Sequence, residues 1–202
     1  MVATSVIPLG GDSITKDLSI GLRTSTEEAE EVKLNYGHAY YNDAREEETF
    51  QVSVIGSDTK QTFNQLQIAD MIEARLEEIY MYADREIKRL GFRELPGGYV
   101  LTGGTMKLPG ALELAQDVFR SNVRIAIPDY IGVREPQYTA SIGILQFAYY
   151  NAKIQGKDLF PGVNMNDPRR VKKKVHQSSM DEDKPEKKKE SRIANLFKYF
   201  FD

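Results

Sequence analysis

Apolar residues change their spacing several times along this chain, and each change predicts an element. Residues 2–9 ("VATSVIPL") are apolar and β-branched, which predicts a strand ending at Gly10-Gly11. In residues 12–22 the apolar positions Ile14, Leu18, Ile20 and Leu22 recur loosely, with Asp12 or Ser13 available as an N-cap. "TSTEEAEEVKLNYG" predicts a short helix: Ser25 or Thr26 caps it, acids fill its first turn, and Gly37 stops it. Residues 49–55 ("TFQVSVI") alternate as a strand does. Residues 64–90 carry the longest helical pattern, with Leu66, Ala69, Met71, Ile72, Leu76, Ile79, Ala83, Ile87 and Leu90 at helical spacing and Gly91 at the end. "GGYVLTGGT" predicts a buried strand running into a glycine turn. "LPGALELAQDVF" predicts a helix with Pro109 near its first turn, "VRIAIP" a strand, and "TASIGILQFAYYNA" a further buried helix. Strands and helices are interleaved, so the fold class is α/β, over residues 1–160.

From Gly156 the pattern breaks. "NDPRRVKKKVHQSSMDEDKPEKKKE" is charged, mixed in sign and free of aromatics. Such a segment cannot bury enough apolar surface to offset its ordering, so residues 161–190 are expected to form a disordered linker. Then apolar residues return in "SRIANLFKYFFD". Taken as a helix over 191–202 with Ser191 as N-cap, it places Ile193, Leu196, Phe197, Phe200 and Phe201 at i, i+3, i+4, i+7 and i+8, on one face. Asn195, Lys198 and Asp202 lie opposite, and Tyr199 falls at the edge of the apolar face. Arg192 and Lys198 can meet anionic lipid. One reading is a terminal helix docking back on its own core. The other, favoured by the long charged segment before it, is an interfacial helix that is unfolded when free and ordered on a membrane. Each large apolar side chain contributes roughly 1.5–3 kcal/mol on burial, against an ordering cost of ~1–2 kcal/mol per residue. One tail should therefore bind weakly, and firm attachment needs several acting together.

Composition narrows the chemistry. The chain has 202 residues and 41% apolar content, enough for a core, and a net charge of −3 makes no general case for nucleic acid. "RRVKKK" and "KPEKKKE" are interleaved with acids and carry no aromatics, which fits a solvated segment better than a nucleic-acid site. Cysteine is absent, which excludes disulfides, thiolate metal sites and a thiol nucleophile, and there are two histidines, His38 and His176. No apolar run approaches the ~20 residues of a spanning helix, and the N-terminus lacks the pattern of a signal peptide. A cytosolic protein with membrane contact at its end is expected.

Two glycine turns follow predicted strands, in "VIPLGGDSIT" and "YVLTGGTMKLPG". Backbone N–H groups in such turns can approach a phosphate or nucleoside closely, although a plain tight turn also explains a Gly-Gly pair. In "EEAEEVK", Glu30 and Lys33 stand at i, i+3 on one helix face. They suit either a surface ion pair or a carboxylate and ammonium hydrogen-bonding ribose hydroxyls beside a purine.

The order of these segments, from "VIPLGGDSITKDLSIGLRTSTEEAEEVKLNYGHA" through "IADMIEARLEEI" and "YVLTGGTMKLPGALELAQDVF" to the charged stretch and the tail, resembles the C-terminal half of the FtsA family. These are bacterial actin-like proteins that tether FtsZ to the membrane at the division site. The resemblance implies the C-terminal half of an actin-like fold of the actin/Hsp70 superfamily, subdomains 2A and 2B, with 2B over roughly residues 24–95. It implies that Gly103, Gly104 and Thr105 contact adenosine, that Glu30 and Lys33 hold the ribose and base, and that Gly10 and Gly11 form the turn after the strand pairing with the second phosphate loop. It implies that the FtsZ C-terminal peptide docks on 2B, with Arg75 as the principal contact and Glu78 and Glu73 behind it; for Glu73 a plain solvated helix face is an equal alternative. ATP with Mg is the family's cofactor. Its partners are FtsZ, an anionic membrane surface, further copies of itself and other division proteins. Its place is the cytoplasmic side of the membrane at the septum.

The family's first half has no counterpart in this sequence. Its phosphate loops and the self-association subdomain 1C are therefore missing, and Met1-Val2 would begin within a β-hairpin. The expectation is a fragment that binds nucleotide weakly or not at all, does not hydrolyse it, and leaves one strand edge of 2A unpaired. An ATPase of the wider actin/Hsp70/sugar-kinase superfamily is the alternative. The amphipathic tail and the lack of a catalytic carboxylate constellation argue against it.

Overall fold

Leu18, Ile72 and Val52 are sealed from solvent, and they sit on three different elements. Their meeting is the core, in a computed structural model that describes residues 2–57 and 59–157. Helix α1 (Gly11–Leu22) contributes Ile14, Leu18 and Leu22, one residue per turn along one stripe. Helix α2 (Thr26–Tyr36) adds Ala29 and Val32, and α3 (Gln65–Arg89) adds Ile68, Ile72, Leu76 and Tyr80. Helix α4 (Ala111–Phe119) closes the cluster with Leu114, Ala115 and Phe119. Each of the large residues in this cluster contributes about 1.5–3 kcal/mol on burial.

The strands make two small sheets among the described residues. β1 (Thr49–Ser53) pairs antiparallel with β2 (Lys60–Asn64), with Phe50 opposite Phe63. β3 (Tyr99–Leu101) pairs parallel with β4 (Val123–Ile125) across α4, a right-sized βαβ connection. Tyr99 stacks on Phe119 at 4.1 Å between centroids, which fastens this sheet to α4. Tyr80 donates its hydroxyl to the Ala111 carbonyl at 3.0 Å, and burial raises its pKa. Helix α5 (Thr139–Ile154) follows a short 3-10 turn at Pro136–Tyr138. The chain divides into two compact units between Ile142 and Gly143. The core and the strands belong to the first.

The caps show how local sequence sets the boundaries. Ser25 Oγ accepts from the Glu28 amide at 3.2 Å and starts α2 as expected. Asn64 starts α3, its side chain accepting from Gln67 N–H while Gln67 accepts from Asn64 N–H, a reciprocal capping box. For α1 the cap is Gly10 rather than Asp12 or Ser13, because the helix begins one residue earlier than the apolar spacing implies.

Three expectations need correcting. Residues 2–9 join neither sheet among the described residues, and Val2 and Val6 stand 90% and 84% exposed. β-Branched residues favour a strand only when a neighbour offers a ladder. "GGYVLTGGT" does hold β3, but Val100 is half exposed, so the strand is not buried. Helix α5 is present, yet Ile144, Phe147, Tyr150 and Ile154 lie exposed along it, so it is not a buried helix. The linker over 161–190 and the tail over 191–202, with Arg192, Ile193, Leu196, Phe197, Lys198, Phe200 and Phe201, lie outside the described residues.

Candidate functional site

The N-terminus of α1, one face of α2 and the turn after β3 surround a cleft of about 760 Å³. It is lined by Gly11, Glu30, Lys33, Gly104 and Thr105, five of the residues that the sequence singled out, with Leu34, Leu108 and Pro109 giving it an apolar side. Gly10 and Gly103 are the chain neighbours that shape the two turns. Gly103 holds φ at +113°, a conformation closed to other residues, and donates its N–H to Pro136 O at 3.2 Å. A Cβ on Gly11 would stand 3.1 Å from Thr105 Oγ1, a tight contact that the threonine side chain would relieve by giving a few tenths of an ångström.

Glu30 and Lys33 are not a solvated surface pair. Lys33 is buried, at 7% exposure, and its ammonium donates to Glu30 Oε2 at 2.6 Å, to Thr15 Oγ1 at 2.7 Å and to Gly11 O at 3.3 Å. Thr15, on α1, also bonds Glu30 Oε2. Partial burial pushes the Glu30 carboxyl up, but hydrogen bonds from Lys33 and Thr15 and the ammonium charge outweigh it, and the net pKa is lowered. Glu30 is thus an anion at neutral pH, and it lines the cleft. Thr15 is the member that sequence reasoning missed; its place one turn after Gly11 was the available signal.

Arg75 lies on α3, outside the cleft lining. Its Nε and Nη2 grip Asp17 of α1 side-on, at 2.5 and 3.1 Å, and Nη1 donates to Glu78. The Asp17 hydrogen bond is the main cause of its raised pKa. Glu73 accepts from the Tyr41 backbone N–H at the start of a 3-10 turn over Tyr41–Asp43. Arg75, Glu78 and Glu73 therefore share one stretch of α3, where Arg75 clamps α3 to α1 through Asp17 and Glu78 bonds Arg75 from the same helix. Asp17 had no signal in the sequence.

The fold has a counterpart among solved structures. MreB5 of Spiroplasma citri, a structure bound to ADP, superposes with a TM-score of 0.55 over 74% of this chain and 47% of its own, at 16% identity. The described part is thus a piece of an actin-like α/β fold. The family model for cell division protein FtsA matches residues 1–143. FtsA of Bacillus subtilis is 57% identical over 159 residues, which is 79% of this chain and 36% of that protein. FtsA of Enterococcus hirae is 40% identical over 145 residues, and that of Pseudomonas aeruginosa 37% over 150. The chain belongs to the FtsA family. It spans about a third of the length of these relatives.

Proposed function

We propose that this chain is the partner-docking and membrane-attaching part of a cell division scaffold that brings FtsZ to the inner face of the cytoplasmic membrane. Membership of the FtsA family is the observation that carries this reading. The α3 surface around Arg75, Glu78 and Glu73 receives the FtsZ C-terminal peptide. An acidic group of that peptide would engage Arg75 in exchange with Asp17 or Glu78, since both carboxylates already bond its guanidinium. The apolar positions Ile193, Leu196, Phe197, Phe200 and Phe201, flanked by Arg192 and Lys198, supply lipid attachment. Other division proteins and further copies of the chain would add valency.

The cleft takes the nucleoside end of an adenine nucleotide. What supports this is its composition: two glycine turns in close approach, an apolar side of Leu34, Leu108 and Pro109, and an ionised Glu30. Binding is expected to be weak, and we propose no hydrolysis.

Flotation with anionic vesicles and fluorescent FtsZ tests the scaffold reading. The chain should float and carry FtsZ with it, and Phe200→Glu with Phe201→Glu should abolish both. Flotation that survives the double substitution would refute the tail, while flotation without FtsZ would refute the α3 docking site.

A further inference from the structure

We propose that the apolar stripe along α5 is a docking site for the chain's own terminal segment, residues 191–202, and so competes with lipid for it. The competition rests on the reading of that segment as lipid-binding; the docking does not.

The stripe is made by Ile144, Phe147, Tyr150 and Ile154, each more than half exposed. Their spacing of three or four residues puts them on one side of the helix. Among the described residues nothing covers them. Lys153 is the one charged side chain on α5, so the stripe offers apolar contact rather than a charged handle. An uncovered face of this kind calls for an apolar partner.

The sequence supplies one close at hand. The described residues run to 157, three past the end of α5. Residues 161–190 hold no aromatic side chain, and the next dense apolar group is Ile193, Leu196, Phe197, Phe200 and Phe201. Taken as a helix, that segment has an apolar face running ~12 Å from Ile193 to Phe201. The stripe runs ~15 Å from Ile144 to Ile154, so the two faces match in length and can pack side by side. The chain between Ile154 and Ile193 can span far more than the ~24 Å length of α5, so reach is no obstacle. A linked segment meets its site at an effective concentration set by the length between them, up to millimolar. A second copy therefore competes for the stripe only in concentrated solution. The segment has one apolar face, and it cannot bury that face on α5 and in lipid together.

The test uses the full chain, which has no tryptophan. Phe147→Trp puts an indole in the middle of the stripe, at a position too exposed to support the fold, and Tyr150→Trp is a second reporter. In dilute solution without lipid, both should show the emission of a shielded indole, unchanged by further dilution. Adding Phe200→Glu and Phe201→Glu should move that emission to the red. Emission that those substitutions leave unmoved in both reporters would overturn the proposal. So would shielding that fades on dilution, which would give the stripe to a second copy. With vesicles of anionic phospholipid, Phe147→Asp should raise the fraction of chain that floats, because the segment is released. A lower fraction would make the stripe a lipid contact in its own right and overturn the competition. Shielding that depends on Phe200 and Phe201 in a chain that does not float would support the docking and refute the lipid reading.

Discussion

Glu30 shows what a single residue's surroundings do to stability as well as to binding. Its carboxyl is lowered from the ordinary value of 4.5, because bonds from Lys33 and Thr15 outweigh partial burial. A depressed folded-state pKa contributes stability that is present above the unfolded value and is lost as pH falls through the folded one. Thermal unfolding should therefore separate wild type from Glu30→Gln most at neutral pH. The gap should narrow as pH drops below 4.5 and close at lower pH. A gap that is constant with pH would mean that the ion pair with Lys33 does not couple to folding. Glu86, held down to about 2 by Arg89 and Ser5, makes its contribution over the same acid range, so the comparison must be between variants rather than against absolute stability.

At the scale of the element, helix ends carry strain that can be relieved. Arg120 closes α4 in the left-handed region at φ 47°, its N–H donating to Gln116 O. A non-glycine residue there costs ~1–2 kcal/mol, of which the extra chain entropy of glycine takes back ~0.5–1 kcal/mol. Arg120→Gly should raise stability by roughly 0.5–1 kcal/mol in urea unfolding, with no change in helix content. A loss of stability would show that the Arg120 side chain makes a contribution that outweighs the backbone. The elements also show how far sequence alone reaches. Helices α2 and α3 were legible because caps and periodicity agree, at Ser25 and along Leu66 to Leu90. Strand β2 was not, since Lys60, Gln61 and Thr62 are polar and exposed, and pairing with β1 rather than an apolar pattern makes them a strand. The site was half legible. Glu30 and Lys33 sit on one helix at a spacing that can be read, whereas Thr15 and Asp17 reach them and Arg75 only through the packing of α1 on α2 and α3.

For the whole molecule, what matters is how much apolar surface stays open. Along α5, Ile144, Phe147, Tyr150 and Ile154 fall within about 120° of one another at 100° per residue, and they are 68%, 69%, 58% and 83% exposed. Soluble monomers seldom carry a contiguous apolar stripe of that kind. Among the described residues the two sheets are two-stranded, so each strand there also has an unpaired edge. Both features favour contact between copies. Light scattering on a concentration series of the 202-residue chain should show association that grows with concentration. Phe147→Asp places a charge in the middle of the stripe and should shift the population toward monomer, leaving the helical spectrum as it was, because Phe147 is too exposed to support the fold. If the variant associates as the wild type does, the stripe is not the contact and the strand edges are the next place to look. If the wild type is monomeric throughout, neither surface is adhesive enough to matter.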